Sequence, residues 1–432
     1  MANINFKEIE LSDSAWIREL FSVPDFNSED YCFTFQYLWK NTFKSKVARV
    51  GDLVLIQYNM GYGRSYLMPV GKADDWQVAD LLNAMLSTAS ANSQSSPLTA
   101  RGSNQSIQLT ADGNSQSSPI TAGGSSKSSL LSNDGKLVLY GVLPSHLDFF
   151  EKHFSGKYTA ELFRMGADYI YDAESLKTLR GKKYQSKRNF ANGFRRLYNW
   201  RFEPITEENV PECLEMNDEW CRRGGCSGDF WKSNEFCATR VALSNFKALG
   251  LDGALLRVFP AFPEQTCKVG QKVTDCAQIH TQNVQGRTNN DRPCTEVPSE
   301  RTPESPSDGR APSEIPMENA GFEIPSEKAG FEIPANGKVV AFSIAEKTNS
   351  NTLIVHIEKA LTEYRGAYQA MSQEFLNYMD GLLRERENLP EGAPAFTLVN
   401  REDDSGDENL RKAKLEYHPI EIKEKYLVTL TL

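Results

Sequence analysis

The sequence predicts a mixed α/β protein made of two units with the same order of helices and strands. The chain has 432 residues, of which 40% are hydrophobic and 24% are charged, and this composition is sufficient for a folded core. A mean hydropathy of −0.49 is low for such a core, so polar segments must dilute it. Two low-complexity segments supply that dilution. Without them about 300 residues remain, which suits two domains.

The two low-complexity segments are predicted to be inserts at loop tips. Residues 87–135 are rich in Ser, Asn, Gln and Gly, and the repeat Asn92-Ser-Gln-Ser-Ser-Pro97 returns at Asn114. Residues 260–336 repeat Glu-Ile-Pro at Glu314, Glu323 and Glu332. With little apolar surface to bury, both should be disordered. For the second segment, a docking motif for a partner protein is the alternative.

The first unit, residues 1–168, is expected to mix helices with hairpin-linked strands. Apolar residues at helical or alternating spacing define these elements. Helices are predicted at Ser14–Phe21, Asp30–Lys40, Trp76–Leu86 and Ser145–Phe154, and strands at Val47–Val50, Leu53–Tyr58, Ser65–Val70, Leu137–Val142 and Tyr158–Met165.

The second unit, residues 169–432, is expected to repeat that order. Helices are predicted at Glu174–Tyr198, Thr206–Arg223, Gly366–Met379 and Glu408–Tyr417, and strands at Gly253–Phe259, Gly337–Ile344, Thr352–Glu358, Ala395–Asn400 and Ile420–Leu430. Thr206 is predicted to cap its helix. The strands on either side of the second insert should pair as a hairpin.

Composition excludes several classes of protein. No apolar run approaches the ~18 residues of a membrane helix, and no signal peptide is seen at the start. The eight cysteines are scattered without a tight Cys-x-x-Cys pair, so we expect reduced thiols, no metal site and a cytoplasmic protein. A net charge of −9 argues against a general nucleic-acid binder, although it permits a local basic patch.

Three segments carry a family resemblance. They are Leu179-Arg-Gly-Lys-Lys-Tyr-Gln-Ser-Lys-Arg-Asn189, His356-Ile-Glu-Lys-Ala360 with Gly366-Ala-Tyr-Gln-Ala370, and Val399-Asn-Arg-Glu-Asp-Asp404 with Leu410-Arg-Lys-Ala-Lys-Leu415. Together they resemble the soluble family related to the C-terminal domain of phosphatidylglycerol lysyltransferase. The resemblance implies a tandem GNAT-like (N-acetyltransferase-like) fold and an acyl or aminoacyl transfer activity. It leaves the substrate open.

The first candidate site is a basic helix. Residues 180–201 hold eight Lys or Arg and no acid. Lys183, Lys187 and Arg188 are predicted to face an anion, which would be tRNA phosphate, an anionic lipid head group or coenzyme A. An ordinary solvated helix face is the alternative.

The second candidate site is the strand-to-helix turn over residues 358–370. GNAT enzymes bind the coenzyme A pyrophosphate at this turn, where a helix start offers free N–H groups. Tyr368 occupies a position that is glycine in the GNAT pattern, and it should obstruct that phosphate. The predicted anion-binding residues here are Lys359, Arg365, Gly366, Tyr368 and Gln369. Alternation along the strand places His356 and Glu358 on one face and Lys359 on the other.

The third candidate site is an acidic cluster after the strand that ends at Asn400. Glu402 and Asp403 are candidates for a general base, with His356 as a third catalytic candidate. Arg401, Arg411 and Lys414 are candidates for binding an anion. One of Asp404, Ser405 and Asp407 should cap the following helix.

The sequence therefore predicts a cytoplasmic acyl or aminoacyl transferase that could lie at the membrane periphery. Its donor would be aminoacyl-tRNA or acyl-coenzyme A. Two alternatives stay open, an acyl-coenzyme A N-acyltransferase and a binding module without catalytic activity.

Overall fold

Two mixed β-sheets organise the chain in the computed structural model. The structure describes residues 4–22, 26–59, 63–94, 135–226, 228–260 and 333–432. Most of both predicted inserts, with their repeats, lies outside the described residues. The described strands are β1 (Lys7–Glu8), β2 (Lys46–Val50), β3 (Leu53–Asn59), β4 (Arg64–Leu67), β5 (Val70–Gly71), β6 (Leu137–Val142), β7 (Tyr158–Leu162), β8 (Asp168–Asp172), β9 (Asn199–Pro204), β10 (Asp252–Phe259), β11 (Lys338–Lys347), β12 (Thr352–Ala360), β13 (Leu398–Asn400), β14 (Glu421–Lys423) and β15 (Tyr426–Leu430).

Helices flank these sheets. They are α1 (Ser14–Phe21), α2 (Phe33–Leu38), α3 (Lys40–Phe43), α4 (Asp75–Gln94), α5 (Leu147–Phe154), α6 (Ala173–Thr178), α7 (Gln185–Leu197), α8 (Val210–Gly224), α9 (Phe230–Ser244), α10 (Ala367–Arg386) and α11 (Glu408–Leu415).

Each sheet contains one parallel pair of strands within an antiparallel frame. The first has the order β1-β2-β3-β4-β6-β15-β7, with β5 beside β3, and β4 runs parallel to β6. The second has the order β14-β8-β13-β12-β11-β10-β9, and β12 runs parallel to β13. The hairpin predicted across the second insert is confirmed, because β10 and β11 pair in antiparallel register.

The last strand of the chain belongs to the first sheet. The sequence predicts a single strand over Ile420–Leu430, and this prediction is wrong. β14 pairs with β8 in the second sheet, whereas β15 lies between β6 and β7 in the first. Both sheets belong to one compact unit, Met1–Phe259 with Asn336–Leu432. The division into residues 1–168 and 169–432 stays a prediction.

Several predicted helices differ from those observed. The helix expected at Asp30–Lys40 is interrupted at Cys32, which has extended backbone angles. The helix expected at Glu174–Tyr198 breaks at Leu179 and Gly181, which both adopt positive φ. Thr206 does not cap α8, since Asn209 occupies the position before its first residue. Helix α4 continues to Gln94, so the first residues of the expected insert are helical.

Four of these strands and helices had no sequence prediction. They are β1, β8, β9 and α9. Strand β8 is buried on both faces, so it lacks the apolar–polar alternation that marks a half-exposed strand. This strand matters for the site, because it lies directly beside β13.

Candidate functional site

A gap opens where the two parallel strands of the second sheet diverge. Pairing between β12 and β13 stops at Ile354 and Asn400. Beyond that point β12 continues to Ala360. The segment that follows β13 stays beside β8 instead, and its Arg401 N–H donates to the Tyr169 carbonyl. Side chains that follow the last paired residues therefore face one another across this strand gap.

His356 bridges the strand gap to Glu402. Its Nδ1 lies 2.8 Å from Glu402 Oε1, and its Nε2 lies 3.1 Å from Glu346 Oε1 on β11. The imidazole is buried, with 1% of the side chain exposed. Burial by itself lowers the pKa of His356, but hydrogen bonds to Cys32, Glu346 and Glu402 outweigh it and raise that pKa well above its usual range. Each ring nitrogen thus faces a carboxylate oxygen, an arrangement that favours the imidazolium.

Glu346 links this histidine to the N-terminal part of the chain. The Cys32 thiol donates to Glu346 Oε1 at 2.7 Å, and Arg18 on α1 pairs with the other oxygen. Burial alone would raise the pKa of Glu346. The hydrogen bond from His356 and the charge of Arg18 have the larger effect and lower that pKa to about 2. Arg18 and Glu346 also border a pocket of about 520 Å³.

The sequence prediction missed Arg18, Cys32 and Glu346. The one available signal was an acid near the end of an otherwise apolar strand, Val339-Val-Ala-Phe-Ser-Ile-Ala-Glu346. A buried acid in such a strand requires a charged partner. Nothing in the sequence tells which partner it has.

The same cluster contains residue types that can bind a metal ion. Ligand-type atoms of Cys32, Glu346 and His356 lie within 4.8 Å of one another. A metal ion needs a neutral imidazole nitrogen and a thiolate. Here both ring nitrogens of His356 face carboxylates and its pKa is raised, the pKa of Cys32 is raised by burial and by Glu346, and Arg18 occupies the second Glu346 oxygen. The donor set fits a hydrogen-bonded charge network better than a metal centre.

A second bridge crosses the strand gap two residues further along β12. Arg401 pairs with Glu358 and donates to the Ser372 hydroxyl at 2.8 Å. Tyr368 also donates to Glu358, at 2.7 Å. The rings of Tyr171, Tyr368 and Tyr417 surround the guanidinium at 4.7 to 5.8 Å from their centroids. Arg401 and Tyr368 thus hold the gap closed at this end.

The loop that follows β13 is tightly fixed. Glu402 adopts a left-handed backbone with φ of +58°, a strained state that costs about 1–3 kcal/mol for a non-glycine residue and often marks a functional site. Lys414 donates to the carbonyl of Arg401 at 2.6 Å and also to that of Asp403. Arg411 pairs with Asp404 through both carboxylate oxygens, at 2.9 and 3.1 Å.

Asp403 lies in the same loop and is a titratable group near neutral pH. Burial raises its pKa to about 6, against the charges of Lys425 and Lys414. Its Oδ1 accepts from the Ser405 backbone and hydroxyl at 2.9 and 3.0 Å. The predicted helix cap is confirmed at Asp407, which accepts from Asn409 and Leu410 backbone N–H groups.

A buried ionic cluster lies behind this loop. Lys425, between β14 and β15, is within 3.1, 2.7 and 2.5 Å of carboxylate oxygens of Glu29, Asp30 and Asp168. All four side chains are at most 1% exposed. Burial raises the pKa of Glu29 well above its usual range, and repulsion from Asp168 adds to this.

The start of α10 is covered by α7. Gly366 has a φ of +86°, and a Cβ built on it would lie 2.2 Å from the Phe190 carbonyl oxygen. Arg365 stacks over the Phe190 ring at 5.1 Å, and Gln369 lies in the first turn of the helix. With Tyr368 directed to Glu358, this helix start differs from an open phosphate cradle.

The predicted placement of Lys359 and His356 on opposite faces of β12 is not upheld, because the pairing of β12 with β11 shifts register between Ile344 and Ala345. Lys359 pairs with Phe342 and so shares its face with Glu346, which contacts His356. The Lys359 ammonium is buried 3.2 Å from the centroid of the Trp220 ring and 2.9 Å from Glu235. Burial lowers the pKa of Lys359. The structure therefore gives Lys359 partners that differ from those of His356.

The basic helix is partly neutralised. Lys187 pairs with Glu416 at 2.6 Å, Arg195 pairs with Glu374, and Arg188 donates to the carbonyls of Leu179 and Gly181. Four cations remain exposed without an ion pair to an acid among the described residues, namely Arg180, Lys182, Lys183 and Arg196. A basic surface is thus retained at the start of α7, where three of the four lie.

Comparison with known proteins identifies the family. The family profile "Phosphatidylglycerol lysyltransferase, C-terminal" matches residues 128–261 and 322–429, more than half of the chain, and the chain belongs to this family. The resemblance drawn from the sequence is confirmed. The tandem GNAT-like α/β class is likewise confirmed, by the two mixed sheets and the family match. No curated protein is similar enough in sequence to match.

A solved structure of similar extent shares this fold. A conserved protein of unknown function from Bacteroides thetaiotaomicron VPI-5482 shares 25% identity and a TM-score of 0.64, over 99% of this chain and 100% of that one. A C-terminal domain assigned to a lysylphosphatidylglycerol synthetase of Agrobacterium fabrum shares 12% identity and a TM-score of 0.48, over 97% and 92%. L-PGS from Bacillus licheniformis shares 11% identity and a TM-score of 0.43, over 90% and 84%. At TM-scores below 0.5 the last two add nothing to the family match.

Among the described residues, none of the helices is both long enough and apolar enough to cross a bilayer.

Proposed function

We propose that this protein is an aminoacyl transferase whose reaction takes place at the strand gap. The observation that carries the proposal is Glu402, which lies where β12 and β13 diverge. Its backbone is strained, and its carboxylate is hydrogen-bonded to the buried His356 ring. Family membership supports the reaction class, because the family is named for a lysyltransferase. The donor would be an aminoacyl ester such as charged tRNA, and the acceptor an amine or hydroxyl.

In this mechanism Glu402 is the general base. His356 donates from Nδ1 to Glu402 and orients its carboxylate. The acceptor amine or hydroxyl attacks the ester carbonyl carbon and gives its proton to Glu402. The ester C–O bond breaks, and that proton passes to the leaving hydroxyl oxygen. Removal of such a base typically costs about 10²- to 10⁴-fold in rate.

The other candidate residues would have supporting roles. Asp403, with a pKa of about 6, is the second candidate base. Arg401, Arg411 and Lys414 are bound to groups of the protein itself, so they would position the loop or give up a partner to an incoming anion. The exposed Arg180, Lys182 and Lys183 would attract tRNA phosphates or anionic lipid head groups. A cytoplasmic protein at the membrane periphery is compatible with either anion.

A coenzyme A donor is disfavoured by the start of α10. The Phe190 carbonyl lies against Gly366, and Tyr368 fills the position next to it. Calorimetry with acetyl-coenzyme A should show no binding heat. Tight binding would favour the acyl-coenzyme A alternative instead.

The proposal is tested by a transfer assay on the full chain. Labelled aminoacyl-tRNAs are offered with amine acceptors or with vesicles that contain phosphatidylglycerol, and labelled product is measured. Wild type and the control Glu385→Gln, an exposed acid on α10, should form product, while Glu402→Gln should not. A folded wild-type protein that transfers nothing from any aminoacyl-tRNA would contradict the proposal and favour a binding module.

A further inference from the structure

Two cysteines meet at the C-terminal end of α8. The helix ends at Gly225, which has a φ of +68°, and the Cys226 backbone N–H donates to the Cys221 carbonyl at 3.3 Å. A left-handed glycine followed by this six-residue hydrogen bond is a Schellman cap. The cap turns the chain back over the last turn of its own helix.

That cap brings the side chains at its two ends into contact. In most proteins the contact is between apolar residues. Here both positions are cysteine, so the cap places these two side chains next to each other. The backbone bond that closes the cap sets the Cα atoms at about the separation, ~5–6 Å, that a disulfide spans.

The two thiols differ in access and share a positive neighbour. Cys221 is partly exposed, whereas Cys226 is buried. Burial and the hydrogen bond with Cys221 raise the pKa of Cys226 to about 11, although the nearby charge of Lys359 lowers it. An ammonium beside a thiol favours the thiolate that attacks a disulfide. An oxidant would therefore reach Cys221 first, and Cys226 would react second.

We propose that Cys221 and Cys226 form a reversible disulfide that cross-links the cap of α8. This is a modification site for small-molecule disulfides such as glutathione disulfide. The Cys221 thiolate attacks the small disulfide, which forms a mixed disulfide and releases one thiolate. Cys226 then loses its proton and attacks the Cys221 sulfur, which releases the second thiolate. Two protein thiols are oxidised and one small disulfide is reduced to two thiols.

The site lies near one residue of β12. Lys359, close to both thiols, is the residue after Glu358 on β12.

The test is peptide mapping of the full chain after equilibration in a glutathione buffer. Arg222 and Arg223 separate the two cysteines, so trypsin places them on different peptides. In oxidised buffer we expect these two peptides to appear as one linked species that dithiothreitol separates. Cys237, which is exposed on α9, serves as the internal control and should carry a glutathione adduct.

Two variants sharpen the result. Cys226→Ser should convert the linked species into a Cys221–glutathione adduct, and Cys237→Ser should leave the link unchanged. Wild-type protein that shows a Cys221 adduct with Cys226 still reduced would overturn the proposal. So would a link from either cysteine to Cys237, or no reaction at Cys221 while Cys237 is modified.

Discussion

At the scale of single residues, the candidate site consists of buried charged side chains that are hydrogen-bonded or ion-paired to one another. His356, Glu346 and Glu402 form a line of hydrogen bonds, and Arg18 ends it. Breaking such a buried pair typically costs about 3–5 kcal/mol, because one charge is left without compensation. These side chains therefore contribute to stability as well as to the proposed chemistry.

The pH dependence of stability follows from His356. Its pKa in the folded protein lies well above the ordinary 6.5, so its stabilising contribution is complete below pH 6.5 and is lost as the pH rises toward the folded value. Glu346 has the opposite sign, since its contribution is present above 4.5 and is lost as the pH falls toward about 2. We expect the free energy of unfolding of wild type to exceed that of His356→Gln most between pH 5 and 6.5.

Urea unfolding of both proteins at several pH values from 5 to 9 measures that difference. It should shrink steadily above pH 6.5. A difference that is constant or grows with pH would mean that His356 is neutral in the folded protein.

At the scale of one element, the start of α10 depends on a glycine. Any side chain at Gly366 would meet the Phe190 carbonyl and would have to adopt a positive φ. We expect Gly366→Ala to lower the free energy of unfolding by more than about 1 kcal/mol. Gly381, in the interior of the same helix with open space around it, is the matched control. There alanine should stabilise by up to about 1 kcal/mol.

Thermal and urea unfolding of the two variants check this contrast. Equal effects of the two substitutions would show that α7 does not press on the start of α10.

The elements that the sequence predicted well are those with a clear period. Helix α1 and strand β6 match their predicted ends, since an amphipathic pattern with polar flanks defines both. Helix breaks were harder, because Leu179 adopts a positive φ without being glycine. Strand β8 was missed, since a fully buried strand shows no alternation.

The candidate site was predicted in part for a related reason. His356, Glu402 and Arg401 lie on elements that the sequence could place, and the structure brings all three to the strand gap. Glu346 lies only ten residues before His356, on the neighbouring strand β11, but its partners Cys32 and Arg18 come from distant parts of the chain. Such contacts between remote segments are set by tertiary packing, which no local pattern encodes.

At the scale of the whole molecule, the last segment of the chain joins the two sheets. After β14 in the second sheet the chain passes Lys425 and enters the first sheet as β15. Lys425 is in contact there with acids from the N-terminal segment and from β8. One buried lysine thus holds together three segments that are far apart in the sequence.

Replacing that lysine should therefore weaken the whole fold. We expect Lys425→Met to lower the free energy of unfolding by about 3–5 kcal/mol, since Glu29, Asp30 and Asp168 lose the one cation that lies within salt-bridge distance of them in the described part of the chain. Lys423→Met, which removes a pair with a half-exposed Glu421, should cost under about 1 kcal/mol. Urea unfolding compares the two, and equal losses would show that the buried cluster contributes nothing special.

The rate of aminoacyl transfer in wild type and Glu402→Gln tests the central claim most directly. Labelled aminoacyl-tRNA and an excess of the acceptor found in the transfer assay are mixed with each protein, and product is followed in a single turnover. The proposed role of Glu402 predicts a rate about 10²- to 10⁴-fold lower in the variant, with an unchanged circular dichroism spectrum. Equal rates in the two folded proteins would contradict a catalytic site at the strand gap.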